Sequence, residues 1–173
     1  MGPWMEKKTR KKKKEAVIDS GPIIHLAEIG RLGFLEIYDN LIVPKLVEEE
    51  VGHILNLKNI TVSNLNKEES KKAEQISKAY LIEEADAQCL LLASKLKIDL
   101  LTDDLKVKRI AKLMGLGAHG TIGTAFANYS ARKITIGELE NIANDLYYKS
   151  TLYLTWDLYQ HVLKEVEARR KRW

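Results

Sequence analysis

The stretch IEEADAQCLLLASKLKIDLLTDD, residues 82–104, decides how this chain folds. Ala85 to Leu96 is almost continuously apolar over about three helical turns, whereas Asp99 to Thr102 is a short apolar run followed at once by two acids. A helix feeding a buried strand is the repeating unit of an α/β protein. Asp86 has Cys89, Leu90 and Ala93 as its neighbours at helical spacing, so its carboxylate shares the inward face. A carboxylate serving the helix dipole alone could sit on any side of the first turn and would ordinarily stay in water. Asp86 is therefore expected to face the interior or a cleft. Asp103 and Asp104 fall just past the carboxyl end of the strand, where open α/β sheets build their sites.

The same alternation extends in both directions. Glu15 to Asp19 reads as a first strand, with Ser20 as the N-cap of a helix carrying Pro22 in its first turn, Ile23, Leu26 and Ala27 on its buried stripe, and Gly30 at its end. Gly33 to Tyr38 reads as a short helix and Leu41 to Val43 as a second strand closed by Pro44. The spacing of Val47, Val51 and Ile54 marks the next helix, and Glu50, three residues after Val47 and four after Leu46, lies on that apolar side while Glu48 and Glu49 point away. Asn59 to Leu65 is expected as an edge strand and Lys67 to Tyr80 as a polar surface helix. Val107, Ile110, Ala111 and Met114 outline a helix closed by Gly115 and Gly117, His119 lies on a short strand, and Gly120-Thr121 opens another helix. These elements predict a mainly parallel sheet with helices on both faces.

From about residue 134 the pattern is helical. Ile136, Leu139, Ile142, Ala143 and Leu146 define one helix; Tyr159, Val162, Leu163 and Val166 define another, with Thr155 as its N-cap. Tyr147, Tyr148, Tyr153, Trp156 and Tyr159 make this region aromatic, which fits packing or a dimer interface better than base stacking. The expected organisation is a basic tail at 1–14, an α/β domain at 15–133, a helical extension at 134–168 packed on that domain, and a second basic tail at 169–173.

Composition narrows the class. Of 173 residues, 45% are hydrophobic and 30% charged, as expected of one globular domain. No apolar run approaches the roughly 18 residues a membrane span needs. The basic start is followed by just Ala16-Val17-Ile18 before Asp19, so neither a membrane segment nor a secretory signal is expected. The single cysteine, Cys89, excludes an intramolecular disulfide and points to a reducing cytoplasm. The net charge of +4 conceals an asymmetry: residues 1–14 hold seven Lys/Arg and one Glu and residues 169–173 hold four Lys/Arg, against 17 basic and 23 acidic residues in the remaining 154. The body is acidic, and the basic ends are read either as solvated tails or as attractors of a phosphate backbone.

Asp19, Glu50, Asp86 and Asp104 come from four segments that a parallel sheet could gather at its carboxyl edge. Carboxylates held so closely repel, and some must keep a proton unless a cation neutralises them. Oxygen-only ligation suits Mg²⁺ or Mn²⁺, ions that activate water and stabilise the leaving oxygen of a phosphodiester. Other chemistries fit poorly. His25, His53, His119 and His161 lack paired ligand spacing, and GLGAHG at 115–120 follows a helix rather than a strand, which argues against a nucleotide fingerprint. Asp19-Ser20-Gly21 lacks the preceding glycine of a nucleophile elbow.

Several motifs, in order, resemble the PIN-domain ribonuclease family. They are Val17-Ile18-Asp19-Ser20, the segment Pro44 to Val51, Glu84-Ala85-Asp86-Ala87 and Leu100-Leu101-Thr102-Asp103-Asp104. The Gly120-Thr121-Ile122-Gly123 turn and Leu158 to Leu163 resemble a VapC-related subgroup of largely uncharacterised PIN proteins. The resemblance covers about residues 15–167. It implies a three-layer α/β/α domain and an acidic Mg²⁺ or Mn²⁺ site that cleaves RNA. Asp19, Glu50, Asp86 and Asp104 occupy the matching catalytic and metal positions, with Ser20, Glu49, Glu84, Asp103 and Thr121 as supporting candidates. A toxin-type nuclease of this kind would take RNA as substrate and a small antitoxin as partner, and a homodimer is the expected assembly if the aromatic segment is exposed. Two other readings stay open: a ribosomal-RNA processing nuclease, which the basic ends would suit, and a noncatalytic RNA-binding or protein-interaction module on the same fold.

Overall fold

The computed structural model describes residues 12–172. Five strands, β1 (Glu15–Ile18), β2 (Asn40–Pro44), β3 (Ile60–Ser63), β4 (Asp99–Leu101) and β5 (Ala118–His119), form one sheet in the order β3-β2-β1-β4-β5. Every pairing is parallel. Eight helices accompany them among the described residues: α1 (Ser20–Glu28), α2 (Lys45–Val51), α3 (Lys67–Tyr80), α4 (Glu84–Leu96), α5 (Leu105–Leu113), α6 (Thr121–Ser130), α7 (Ile136–Lys149) and α8 (Trp156–Arg170).

The central strands are apolar on both faces because both are covered. Ala16, Val17, Ile18, Leu41, Leu100 and Leu101 are fully buried. From β1 the chain steps outward through β2 to β3, then returns across the sheet to β4 and continues to β5. Right-handed crossovers in opposite directions put their helices on opposite faces. Thus α3, α4 and α5 cover one side and α1, α2 and α6 the other, with α7 packed on α6 and α8 on α7. Leu139, Ile142, Leu146 and Val166 of the last two helices join the same hydrophobic core as the strands.

The reversal of strand order falls between β1 and β4. At such a switch point adjacent connections leave in opposite directions and open a crevice at the carboxyl ends of the strands. Asp19 follows β1 there, and Thr102, Asp103 and Asp104 follow β4.

Four local details depart from the sequence reading. Asp19, rather than Ser20, caps α1: its Oδ1 accepts a 2.7 Å hydrogen bond from the Ser20 amide, which removes Asp19 from the strand and makes Ser20 the first helical residue. The segment Leu32–Ile37 is a 3₁₀ helix. The helix expected to reach Ile54 stops at Val51, because Gly52 takes φ +51° and a short 3₁₀ turn follows. Finally, Arg169 and Arg170 complete α8 instead of beginning a tail; Arg170 pairs with Glu140, and Arg169 lies 5.0 Å from the Phe126 ring centre. Of the N-terminal tail, residues 1–11 lie outside the described residues.

Candidate acid cleft at the carboxyl edge of the sheet

The floor of the switch-point crevice is Asp19, 8% exposed. It is held from two sides. Its Oδ1 caps α1 through the Ser20 amide, and its Oδ2 accepts a 3.1 Å hydrogen bond from the hydroxyl of Thr102, a fully buried residue at the end of β4. The Asp19 amide donates to the Leu101 carbonyl at 2.9 Å, which locks the two strand ends together. Burial raises the pKa of Asp19; the two hydrogen bonds oppose that rise, and the negative charges of Glu50 and Asp104 add to it.

Asp86 enters from the first turn of α4. Cys89, Leu90 and Ala93 are fully buried, so the inward orientation read from spacing holds. The Asp86 carboxyl is half-buried, within hydrogen-bonding reach of Asp19, and its pKa is pushed up to about 7. Burial is the main cause, followed by the charges of Asp19, Asp104 and Glu83. Asp86 therefore titrates far above an ordinary aspartate, with buried Asp19 raised beside it.

Glu50 and Asp104 complete the crevice as exposed rim residues rather than the inward-facing acids expected from sequence. Val47 and Val51 take the buried stripe of α2, which leaves Glu50 at its border, where its Oε1 accepts a 3.0 Å hydrogen bond from the Ser20 hydroxyl. Asp104 caps α5, accepting from the Val107 amide at 2.9 Å, so its position is set by the strand-to-helix turn. Together these residues line a cleft of about 460 Å³ with Leu81, Ile82, Glu83, Ala85 and Lys106.

The supporting candidates divide. Ser20 belongs to the cleft. Glu49 is exposed outside it, and Glu48 pairs with Lys45 at 2.6 Å, so among the three consecutive glutamates Glu50 is the one that reaches Asp19 and Ser20. Glu84 faces away, toward Lys67, Ser70 and Lys71 of α3, because it lies two residues from Asp86 and helix geometry turns it to another side. Asp103 and Thr121 meet each other behind the cleft: Asp103 accepts from the Thr121 amide at 2.7 Å, from its hydroxyl at 2.5 Å, and from His25 Nδ1 at 2.7 Å. Burial would raise the Asp103 pKa, but these donors outweigh it and hold the carboxyl below its ordinary range. A Cβ on Gly120 would stand 2.5 Å from Asp103 Oδ1, so this close approach requires glycine.

Thr102, His25, Lys106 and Gly120 are the site-forming residues that sequence reasoning missed. The threonine before the two acids was the readable signal. A lone histidine and a lone lysine carry none.

A PIN-domain family model matches residues 15–168. The chain belongs to the PIN-domain family. No match was found among curated proteins. The all-parallel sheet flanked by helices is a PIN-like fold, and PIN domains are generally nucleases that act on nucleic acids and use divalent metal ions. No helix among the described residues is long and apolar enough to cross a membrane.

The PIN cleft suits a hard cation chemically. Its donors are carboxylate oxygens, and burial, seconded by the neighbouring negative charges, raises the Asp86 pKa. Among the described residues no three ligating side chains already form a closed cage. Asp19, Asp86, Glu50 and Asp104 are the residues that would hold such an ion, with the rim acids brought closer than they stand here, and the ion would supply the positive charge these carboxyl groups lack.

Proposed function

We propose that this PIN-domain protein is a metal-dependent endoribonuclease that hydrolyses RNA phosphodiester bonds at the cleft of Asp19, Glu50, Asp86 and Asp104. The observation carrying this reading is the gathering of Asp19, Glu50, Asp86 and Asp104 from four segments into one cleft, with Asp19 buried and held by the Ser20 amide and the Thr102 hydroxyl. Caps and hydrogen bonds orient these acids, and Lys106 is the cation that shares their rim. Bound Mg²⁺ or Mn²⁺ would supply charge neutralisation for the phosphodiester and a lowered pKa for the attacking water.

The chain's own residues do the remaining work. Asp19 is the fixed floor ligand, oriented by the Ser20 amide and the Thr102 hydroxyl. Asp86 is the ligand that surrenders a proton on loading. Glu50, steered by Ser20, and Asp104, held by the α5 cap, are the rim ligands. Lys106 places a positive charge on the same rim, suited to a non-bridging phosphate oxygen.

Within this reading the nuclease is either of the toxin type, with a small antitoxin covering the cleft, or one that processes ribosomal RNA. The buried, free Cys89 fits action in a reducing cytoplasm. Exposed Tyr148, Tyr153 and Trp156 beside the stacked pair Tyr147 and Tyr159 favour a homodimer formed through α7 and α8.

The test is cleavage of an end-labelled, structured RNA mixture with Mn²⁺, Mg²⁺ or EDTA, comparing wild type with Asp104→Asn. Cleavage that needs metal and vanishes in the variant supports the nuclease. Activity that survives EDTA or the substitution rejects this site. RNA binding without cleavage under any metal favours a noncatalytic module.

A further inference from the structure

A second feature lies at the opposite edge of the sheet. α6 starts beside the acid cleft, where Thr121 holds Asp103, and runs ten residues to Ser130. At 1.5 Å per residue its far end is about 15 Å away. There, between the end of α6, the start of α7 and the end of α8, lies a cavity of about 670 Å³. Tyr129, Ile134 and Ile136 give it an apolar floor, and Arg132, Lys133 and Arg170 stand around it. Arg31, at the exit of α1, lies close enough for its charge to act on Glu138 of the same cavity.

Charge here is gathered by topology. Three segments far apart in sequence deliver Arg31, Arg132-Lys133 and Arg170 to one place, and Lys171 and Arg172 follow Arg170 as exposed residues. Lys12, Lys13 and Lys14 also precede β1 at this amino edge. The acid on the rim, Glu138, is engaged in the capping box of α7, accepting from the Thr135 amide at 2.8 Å. Glu140 and Glu167 hold Arg170 in place. An apolar floor with an aromatic ring and a cationic surround is the arrangement that takes a stacked base and its phosphates.

We propose that this cavity is a single-stranded RNA exosite: a base packs against Tyr129 while Arg132 and Lys133 contact flanking phosphates, anchoring a strand whose distant part enters the acid cleft. The proposal deepens the nuclease reading and rests on it for the second point of attachment. A stacked strand advances about 3.4 Å per nucleotide. RNA too short to span at least the length of α6 therefore reaches one site at a time, and longer RNA engages both.

The test is binding, so that it stands apart from catalysis. Fluorescence anisotropy of a labelled, unstructured RNA of about 20 nucleotides is measured on the full chain carrying Asp19→Asn, with and without Arg132→Gly plus Lys133→Gln. Arg132 adopts φ +58°, a conformation glycine takes freely, and the melting temperature of every variant, Lys133→Gln alone included, is measured alongside so that lost fold is told apart from lost contact. The expected result is an affinity at least about tenfold weaker, with the slope of log K against log salt reduced by about 1.4, two contacts at about 0.7 each. Tyr129→Leu should weaken binding several-fold and leave the slope unchanged, and a trinucleotide, which reaches one site at a time, should lose its binding at this cavity in the same variants. Unchanged affinity and slope for the long RNA in the variants overturn the exosite. Loss of long-RNA binding in a protein that never cleaves RNA would keep the exosite and reject the nuclease.

Discussion

The Thr102 hydroxyl donates a 3.1 Å hydrogen bond to Asp19 Oδ2, joining the end of β4 to the end of β1 at the floor of the acid cleft. Thr102→Val keeps the shape and removes the donor. It also removes the acceptor of the Asp104 amide, 3.2 Å away. The expected cost is about 1–3 kcal/mol of stability, the penalty for a buried polar group left short of a partner, read from urea denaturation at neutral pH. Thr102→Ser should restore most of it. Because the lost bond opposes the rise of the Asp19 pKa, the acid limb of the cleavage profile should move to higher pH in the valine variant.

Asp86 predicts how stability responds to pH and metal. Its pKa is raised from an ordinary 3.8 to about 7, so between those values the folded protein binds more protons than the unfolded chain. Metal-free protein should lose stability as pH rises through this window and level off above it. Mg²⁺ or Mn²⁺ should recover stability near pH 7 and above, since it binds the folded state alone. Asp86→Asn should flatten the pH slope, leaving the smaller contribution of Asp19, and remove most of the recovery, measured as melting temperature across pH with metal or EDTA. A metal-free melting temperature that stays flat from pH 4 to 8 would contradict the assignment.

Asp103 predicts the opposite slope. Its pKa is lowered, so its contribution is present above the ordinary carboxylate range and disappears as pH falls through the folded-state value. Asp103→Asn should cost about 3 kcal/mol near neutrality, as expected for breaking a buried pair with His25, and the difference from wild type should shrink on acidification. Denaturant titration at neutral and acidic pH gives both numbers.

The glutamates offer a geometric control. Glu50→Gln should reduce cleavage at least about tenfold, about 1.4 kcal/mol of barrier, whereas Glu49→Gln and Glu84→Gln should stay within about twofold. Initial rates on one RNA substrate decide it. An effect of Glu84 as large as that of Glu50 would mean that the cleft is drawn with the wrong acids.

Lys106 ties two walls of the cleft, since its Nζ donates at 2.8 Å to the carbonyl of Leu81, an exposed residue with φ +52° between α3 and α4. Lys106→Met should raise KM for RNA several-fold while kcat changes less, because it removes a phosphate contact and frees that loop. Steady-state kinetics at two salt concentrations would separate the charge effect, which salt weakens.

Much of this architecture is legible along the chain because its determinants are local. The span Lys67 to Tyr80 expected for α3 is the span the helix occupies, since its run of polar helix-forming residues is local, while its ends, an Asn66 capping box and a left-handed Leu81, are features of the folded backbone. The short apolar runs of β1, β2 and β4 and the inward face of α4 were equally readable, as both faces of a central parallel strand must be apolar. Readings failed where one backbone angle decides, as at Gly52, or where a helix simply continues, as at Arg169 and Arg170.

The sequence by itself determined which residue types occur and on which side of its own helix or strand each one stands, and that was enough to bring forward Asp19, Glu50, Asp86 and Asp104. Tertiary structure decided their ranks: Asp19 buried, Asp86 titrating far above an ordinary aspartate, Glu50 and Asp104 on the rim, and Asp103 withdrawn to His25 and Thr121. It also brought Thr102 to Asp19 across 83 residues and Arg170 to the loop of Arg132 and Lys133. Periodicity reports the direction of a side chain about its own axis. Burial, pKa and partnership depend on what a second segment places opposite it, and no local pattern contains that segment.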